Sequence, residues 1–193
     1  MLPLYFIGFL AMLAASVLLY VSGLATTAVT RRPLPALVKP AAASALQAAG
    51  LALLWINFGV GWVLYFNVYV IHVDMAAVSD AAFHAFARGY TRRLPIVVLP
   101  FGAMCLVWSL SLWSAPGRLS RRTLWGIATM TLVSLVSTPW AAGAQDDFHD
   151  HGYSDQAFAQ LQAAHLVRTL AVSIAAIWAL VDAWRVPRSG ATA

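Results

Sequence analysis

Several residue types are scarce in this chain, and their scarcity narrows what it can be. The 193 residues include no glutamate and one cysteine, Cys105, and charged residues make up only 10%. One cysteine can form no internal disulfide and cannot build a thiolate metal centre. The lack of glutamate excludes a paired-glutamate site. Charged residues normally make up about a quarter of a soluble domain. A content of 10% therefore excludes a soluble globular domain.

Apolar residues predominate in this chain. They make up 61% of the chain, and the mean hydropathy is +0.76. They fall into long uncharged runs, and about 20 such residues in a helix cross the roughly 30 Å of bilayer hydrocarbon. The sequence therefore predicts an all-α polytopic protein in a lipid bilayer, with five transmembrane helices. The predicted spans are 3–24, 44–70, 95–114, 123–142 and 166–184.

The placement of charge predicts the orientation in the membrane. The formal net charge is +5, but the basic residues form short clusters between apolar runs, which is not a nucleic-acid footprint. With five spans, three of these clusters fall on one side: Arg31, Arg32 and Lys39; Arg118, Arg121 and Arg122; Arg185 and Arg188. The other two loops carry six of the seven aspartates. The positive-inside rule then puts the N-terminus outside and the C-terminus inside a bacterial-type cytoplasmic (inner) membrane.

The two outer loops resemble each other in sequence. Residues 79–83 (SDAAF) match residues 154–158 (SDQAF), and the same offset brings Arg93 onto Arg168. In both loops the serine is a predicted N-cap of a helix, and Pro95 is expected to stop or bend the first of these helices. A duplication would make 44–189 a four-helix bundle with a pseudo-twofold axis along the membrane normal. Residues 1–28 would then be an added N-terminal anchor.

A segment rich in histidine and aspartate is the strongest local sign of chemistry. Residues 146–151 read DDFHDH, and imidazole and carboxylate are ligands of zinc, copper, iron and manganese. In an extended loop, the pattern His-x-His can present both imidazole rings to one ion. The repeat offset places His72 and Asp74 on Asp147 and His149. We therefore expect a transition-metal site on the extracytoplasmic face, with these ligands: His72, Asp74, Asp147, His149 and His151. The alternative is an ordinary solvated acidic loop.

Two other groupings involve His165. His72 and His165 both lie near the outer membrane boundary and could supply axial nitrogens to a haem, a less favoured cofactor than a metal ion. His165 and Arg168 share one helix face. That pair suits an anionic head group or a quinone carbonyl, unless Arg168 pairs with a loop aspartate or a lipid phosphate. The candidate cofactor-binding residues are thus His72, His165 and Arg168.

Loose motifs between about residues 57 and 184 carry a family resemblance. They are Phe83 through Tyr90, Thr91-Arg92-Arg93 before a span with an early proline, Ser137-Thr138-Pro139, and the run 165–169 (HLVRT). The chain in this region resembles a group of small four-helix bacterial membrane proteins that includes the anthrone-oxygenase-like family. The resemblance implies a four-helix bundle with oxygenase activity. The segment 146–151 falls outside that pattern.

Together these patterns favour a metal- or haem-dependent oxidoreductase or oxygenase that acts on a hydrophobic small molecule. One alternative is an accessory subunit or lipid-interacting scaffold that binds a partner subunit in the membrane. Another is a transporter of metal ions or small solutes, but no predicted span carries an acid or base at mid-membrane, which counts against ion coupling.

Overall fold

The computed structural model describes residues 4–185 except 116 and 118, and the side chains of that part up to 184. Arg118 and Arg188, two of the predicted orientation signals, lie outside the described residues. Within the described part the chain is helical, with one isolated β-bridge between Val38 and Ser114. A π-helical turn, Leu64–Val68, joins α2 to α3. The helices are α1 (Leu4–Thr30), α2 (Pro40–Val63), α3 (Val70–Val78), α4 (Asp80–Arg93), α5 (Pro95–Ser111), α6 (Arg121–Val136), α7 (Thr138–Asp150) and α8 (Asp155–Arg185). The all-α class is confirmed.

Four helical stretches are long and apolar enough to cross a bilayer: Leu4–Thr30, Pro40–Val78, Arg121–Asp150 and Asp155–Trp184. A fifth consists of α4 and α5, which meet at an angle of 41°. The bend lies just before Pro95, as expected, because proline lacks the N–H that would continue the helix. The described residues therefore contain four helices that could cross a bilayer, or five when the bent pair counts as one span.

The bundle consists of α2, α5, α6 and α8, and α1 packs outside it. Each bundle helix contacts two others, in the ring order α2, α5, α6, α8, while α1 lies mainly against α5. Gly102 allows this contact, because a Cβ at that position would lie 2.9 Å from atoms of Phe9 and Met12. The Tyr20 hydroxyl also lies 2.7 Å from the Thr129 hydroxyl of α6. The predicted arrangement of a four-helix bundle with an N-terminal helix added is thus observed.

One end of the bundle carries the residues that the sequence singled out. This end, called the histidine end below, comprises α3, α4, the last turns of α7 and the first turn of α8. Ser79 and Ser154 cap α4 and α8, accepting hydrogen bonds from Ala82 N (3.2 Å) and Ala157 N (3.1 Å). Both predicted N-caps are confirmed.

The segment 146–151 is not the extended loop that we expected. It forms the last turns of α7, which runs to Asp150 and is capped by His151. The preceding residues, AAGAQ, lack the proline or turn signal that would end a helix sooner. The chain leaves the helix at Gly152, whose φ of 84° lies in the left-handed region that glycine adopts without strain.

Two of the long helices are interrupted at similar but not equivalent positions. The π-helical turn begins at Leu64, and the break between α6 and α7 lies at Ser137. These positions differ by 73 residues, two fewer than the offset of 75 that relates Ser79 to Ser154. Arg93 and Arg168 also differ in their surroundings, since Arg93 is exposed and Arg168 lines a cavity. The duplication stays a prediction.

Candidate functional site

A cavity of about 310 Å³ lies inside the bundle, next to the two helix breaks. Helices α2, α5, α7 and α8 form its main walls, with Phe6 and Phe9 of α1 and the end of α4 completing them. Most of the lining is apolar. The polar residues on its wall are Asn57, Tyr69, Tyr90, Thr91, Thr138, Gln145, Asp146, His149, His165, Arg168 and Thr169. An apolar cavity with a few convergent polar groups is the usual form of a small-molecule site.

His165 is held with both ring nitrogens engaged. It is 2% exposed, its Nε2 lies 3.0 Å from the Gly61 carbonyl, and its Nδ1 lies 3.2 Å from the Tyr69 hydroxyl. A carbonyl oxygen only accepts, so Nε2 carries the proton. In the neutral ring Nδ1 must then accept, and the Tyr69 hydroxyl donates to it. The Tyr69 oxygen can then act as an acceptor, and the Tyr90 side chain already interacts with it.

The local backbone explains this arrangement. Gly61 lies just before the π-helical turn, and such turns are frequent at functional sites. A Cβ at Gly61 would lie 3.0 Å from Thr169 Oγ1, so glycine lets α8 approach α2 closely enough for His165 to reach the carbonyl. Tyr69 follows the π-helical turn and is buried. The turn therefore places the phenol of Tyr69 beside the imidazole.

Arg168 is the one arginine that lines this cavity. One Nη donates to the Thr138 hydroxyl (3.2 Å), and the guanidinium carbon lies 4.9 Å from the centre of the Phe101 ring. Its Nε is buried and has no hydrogen-bond partner. Among the described residues no carboxylate oxygen lies within 4.0 Å of the guanidinium. Asp146 also lines the cavity, but its side chain is exposed at the rim.

The predicted metal ligands are not gathered at one point. His72 and Asp74 both lie in α3, and Asp147 and His149 both lie in α7. Residues two apart on a helix point about 200° away from each other, so neither pair converges. Among the described residues, no three His, Cys, Asp or Glu side chains form a group that could hold a metal ion.

Each of these side chains has different surroundings instead. His72 is fully buried among the rings of Tyr69, Phe83, Phe86, Tyr90 and Phe148, with both nitrogens unpartnered.

Asp74 is exposed. Asp147 pairs with His151 one turn later, at 2.9 Å. His149 Nε2 lies 2.9 Å from the Thr91 hydroxyl. This pairing joins α7 to α4.

The two histidines considered for haem are close to each other but do not face one open space. The Tyr69 ring contacts both, with centroids 5.8 Å from His72 and 4.8 Å from His165. Both nitrogens of His165 are already hydrogen-bonded. Of the three candidate cofactor-binding residues, His165 and Arg168 share the cavity, whereas His72 lies behind Tyr69 and Tyr90 in an aromatic cluster.

Sequence reasoning missed the two tyrosines as site residues. It did not single out Tyr69, and it named Tyr90 only at the end of the motif that begins at Phe83. Asn57 donates to the Leu53 carbonyl in its own helix (2.8 Å) and to the Pro100 carbonyl (3.3 Å), which joins α2 to α5.

Comparison with known proteins adds no further assignment, and the likeness to the four-helix bacterial family stays a prediction. No family model matches the chain, and no curated protein or solved structure is significantly similar to it.

Proposed function

We propose that this chain is a multi-pass membrane protein that binds a compact apolar molecule with an anionic oxygen group in the cavity at Arg168. One observation carries the proposal. Arg168 brings a guanidinium to the wall of an apolar cavity, and no carboxylate of the described residues pairs with it.

The energetics favour a ligand of negative charge. Moving a cation out of water costs several kcal/mol, about as much as good pairing returns. Thr138 and the Phe101 ring supply only a neutral acceptor and a cation–π contact. A ligand carboxylate, phenolate or enolate at the guanidinium would supply the missing charge. Each charge-assisted hydrogen bond contributes about 1.5–3 kcal/mol.

The cavity also limits the size of the ligand. Small-molecule sites range from about 300 to 1,000 Å³, and this cavity, at about 310 Å³, lies at the lower limit. A molecule of one or two rings, or a short chain, fits this volume. A whole phospholipid does not. The apolar lining by Phe9, Leu64, Val97 and Phe101 suits the hydrocarbon part of such a molecule.

The Tyr69–His165 pair would help to orient the ligand. The Tyr69 hydroxyl donates to His165 Nδ1, so its oxygen can accept a hydrogen bond from an O–H group of a ligand held at Arg168. A site that orients an apolar acid in this way would suit the substrate-binding step of an oxidoreductase or oxygenase.

The proposal includes an orientation in the membrane. The histidine end carries six of the seven aspartates. At the other end, Arg31, Arg32 and Lys39 lie between α1 and α2, and Arg121 and Arg122 lie in the first turn of α6. By the positive-inside rule, the histidine end and the cavity face the extracytoplasmic side of the cytoplasmic membrane.

A matched pair of probes tests the binding function. Purified protein in nanodiscs is titrated with 2-naphthoate, which carries a carboxylate, and with 2-acetylnaphthalene, a neutral analogue of similar size. We expect naphthoate to bind more tightly, and Arg168→Gln to weaken its binding by about 10- to 150-fold, which corresponds to the loss of 1.5–3 kcal/mol. Arg93→Gln, at an exposed arginine, is the control and should bind as the wild type does. Equal affinity for both probes, or no effect of Arg168→Gln, would refute the proposal.

A further inference from the structure

A second cavity opens on the surface directly beside the first. It is a recess lined by Tyr5, Arg88, Thr91, Arg92 and His149. Thr91 and His149 also line the inner cavity. Their side chains form the 2.9 Å hydrogen bond between α4 and α7, so this pair is the partition between the recess and the inner cavity.

The recess is positively charged. Arg88 and Arg92 lie one turn apart on α4, and both are exposed. Among the described residues, neither has a carboxylate oxygen within 4.0 Å. Arg93 is equally exposed on the same helix but lines neither cavity. A path from the recess to the inner cavity therefore has cationic groups at both ends. Arg88 and Arg92 lie at its outer end, and Arg168 lies at its inner end.

We propose that the recess is an outer binding site that captures the anionic group of the ligand before it passes the Thr91–His149 partition and reaches Arg168. This inference rests on the proposed function and makes it more specific. It requires a ligand that arrives with its charge exposed, from water or from the head-group layer, and not one that diffuses in sideways from the hydrocarbon between α1 and α7.

The charge arrangement predicts a kinetic signature. Oppositely charged clefts raise association rates by about 10- to 1,000-fold, and the effect falls steeply with ionic strength. Arg88 and Arg92 lie outside the cavity in which the ligand finally binds. Their removal should therefore slow association and leave dissociation nearly unchanged. Loss of the hydrogen bond that forms the partition, in contrast, should speed both association and dissociation.

Stopped-flow fluorescence with 2-naphthoate tests this on the full chain in nanodiscs of neutral phosphatidylcholine, so that lipid charge does not contribute. We expect the double variant Arg88→Gln/Arg92→Gln to associate about tenfold more slowly, with a flatter dependence on salt. The control Arg93→Gln/Arg122→Gln loses the same net charge from exposed positions outside the recess and should associate like the wild type. Thr91→Val, which removes the hydroxyl that His149 contacts, should raise both rate constants.

The possible results distinguish failure of the outer site from failure of the proposed binding function. If naphthoate binds in an Arg168-dependent way but the recess variant and the control have the same association rates, entry is from the lipid and the outer site is refuted alone. If the wild type binds no naphthoate, the proposed function fails and the outer site fails with it. A faster dissociation in the recess variant, without slower association, would place these arginines in the final complex and also refute the capture step.

Discussion

Replacing Arg168 by methionine tests whether this arginine serves the ligand or the fold. The substitution keeps an unbranched side chain of similar length and removes the guanidinium. The variant would lose the hydrogen bond to Thr138 and the contact with Phe101. These are worth about 1.5–3 kcal/mol for a charged hydrogen bond and about 0.5–2 kcal/mol for a cation–π contact.

The same substitution also removes two costs from the unliganded protein. The desolvation of an ion amounts to several kcal/mol, and the unpartnered Nε costs about 1–3 kcal/mol. Gains and losses are of similar size. We therefore expect the free energy of unfolding of unliganded Arg168→Met to lie within about 1 kcal/mol of the wild-type value, or above it. An arginine paired to support the fold would behave differently, because breaking a buried pair costs about 3–5 kcal/mol.

Unfolding in mixed micelles of dodecyl maltoside and SDS, followed by circular dichroism, measures this difference. Arg121→Met is the matched comparison, since the Arg121 guanidinium donates to the Leu112 carbonyl at 2.6 Å and joins α6 to the end of α5. We expect this variant to be the less stable of the two. Saturating 2-naphthoate should stabilise the wild type but not Arg168→Met. A loss of 3–5 kcal/mol in unliganded Arg168→Met would refute the assignment of this residue to ligand binding.

Three other predictions concern packing, metal content and topology. A Cβ on Gly126 would collide with the Trp178 ring, whereas a Cβ on Gly59 would have nothing within 4 Å. Gly126→Ala should therefore lower the free energy of unfolding by about 1–3 kcal/mol through overpacking. Gly59→Ala should raise it by up to about 1 kcal/mol, because alanine has the higher helix propensity. Equal effects in the same unfolding assay would contradict the packing of α6 on α8. Because His72 and His149 are not gathered into one site, elemental analysis should find the same iron, copper, zinc and manganese content in the wild type, His72→Ala and His149→Ala; loss of a stoichiometric metal in either variant would restore the metal hypothesis. A C-terminal alkaline phosphatase fusion should be inactive and a C-terminal fluorescent fusion bright, and the reverse result would invert the proposed orientation.

The all-helical fold could be predicted from the sequence because a lipid bilayer allows few backbone conformations. Long uncharged runs can satisfy their backbone in a bilayer only as helices, and Ser79, Ser154 and Pro95 mark helix boundaries by local chemistry. These signals depend on neighbouring residues alone. They therefore hold whatever the helices pack against.

The metal site stays a prediction, but the local geometry of the segment 146–151 differs from the one that it assumed. We read residues 146–151 as an extended loop, in which side chains at i and i+2 lie on one side. The helix α7 continues through them to Asp150, and in a helix that spacing separates Asp147 from His149. His72 and Asp74 are separated in the same way by α3. A sequence pattern gives ligand spacing but not the backbone conformation that turns spacing into distance.

The cavity was partly visible in the sequence. His165 and Arg168 share a helix face, and that spacing alone indicated recognition of an anion or a carbonyl. The contributions of Tyr69, Tyr90 and Thr138 depend on which helices adjoin α8 and on the two helix breaks. Neither breaks nor neighbours follow from the periodicity of apolar residues.

The location of a bound anion tests the central claim most directly. Crystals of the protein grown with 6-bromo-2-naphthoate would reveal the ligand by the anomalous scattering of bromine. The account predicts a bromine peak inside the cavity, with a carboxylate oxygen about 2.7–2.9 Å from a guanidinium nitrogen of Arg168. A bromine peak elsewhere on the protein, with the cavity free of ligand at saturating concentration, would contradict it.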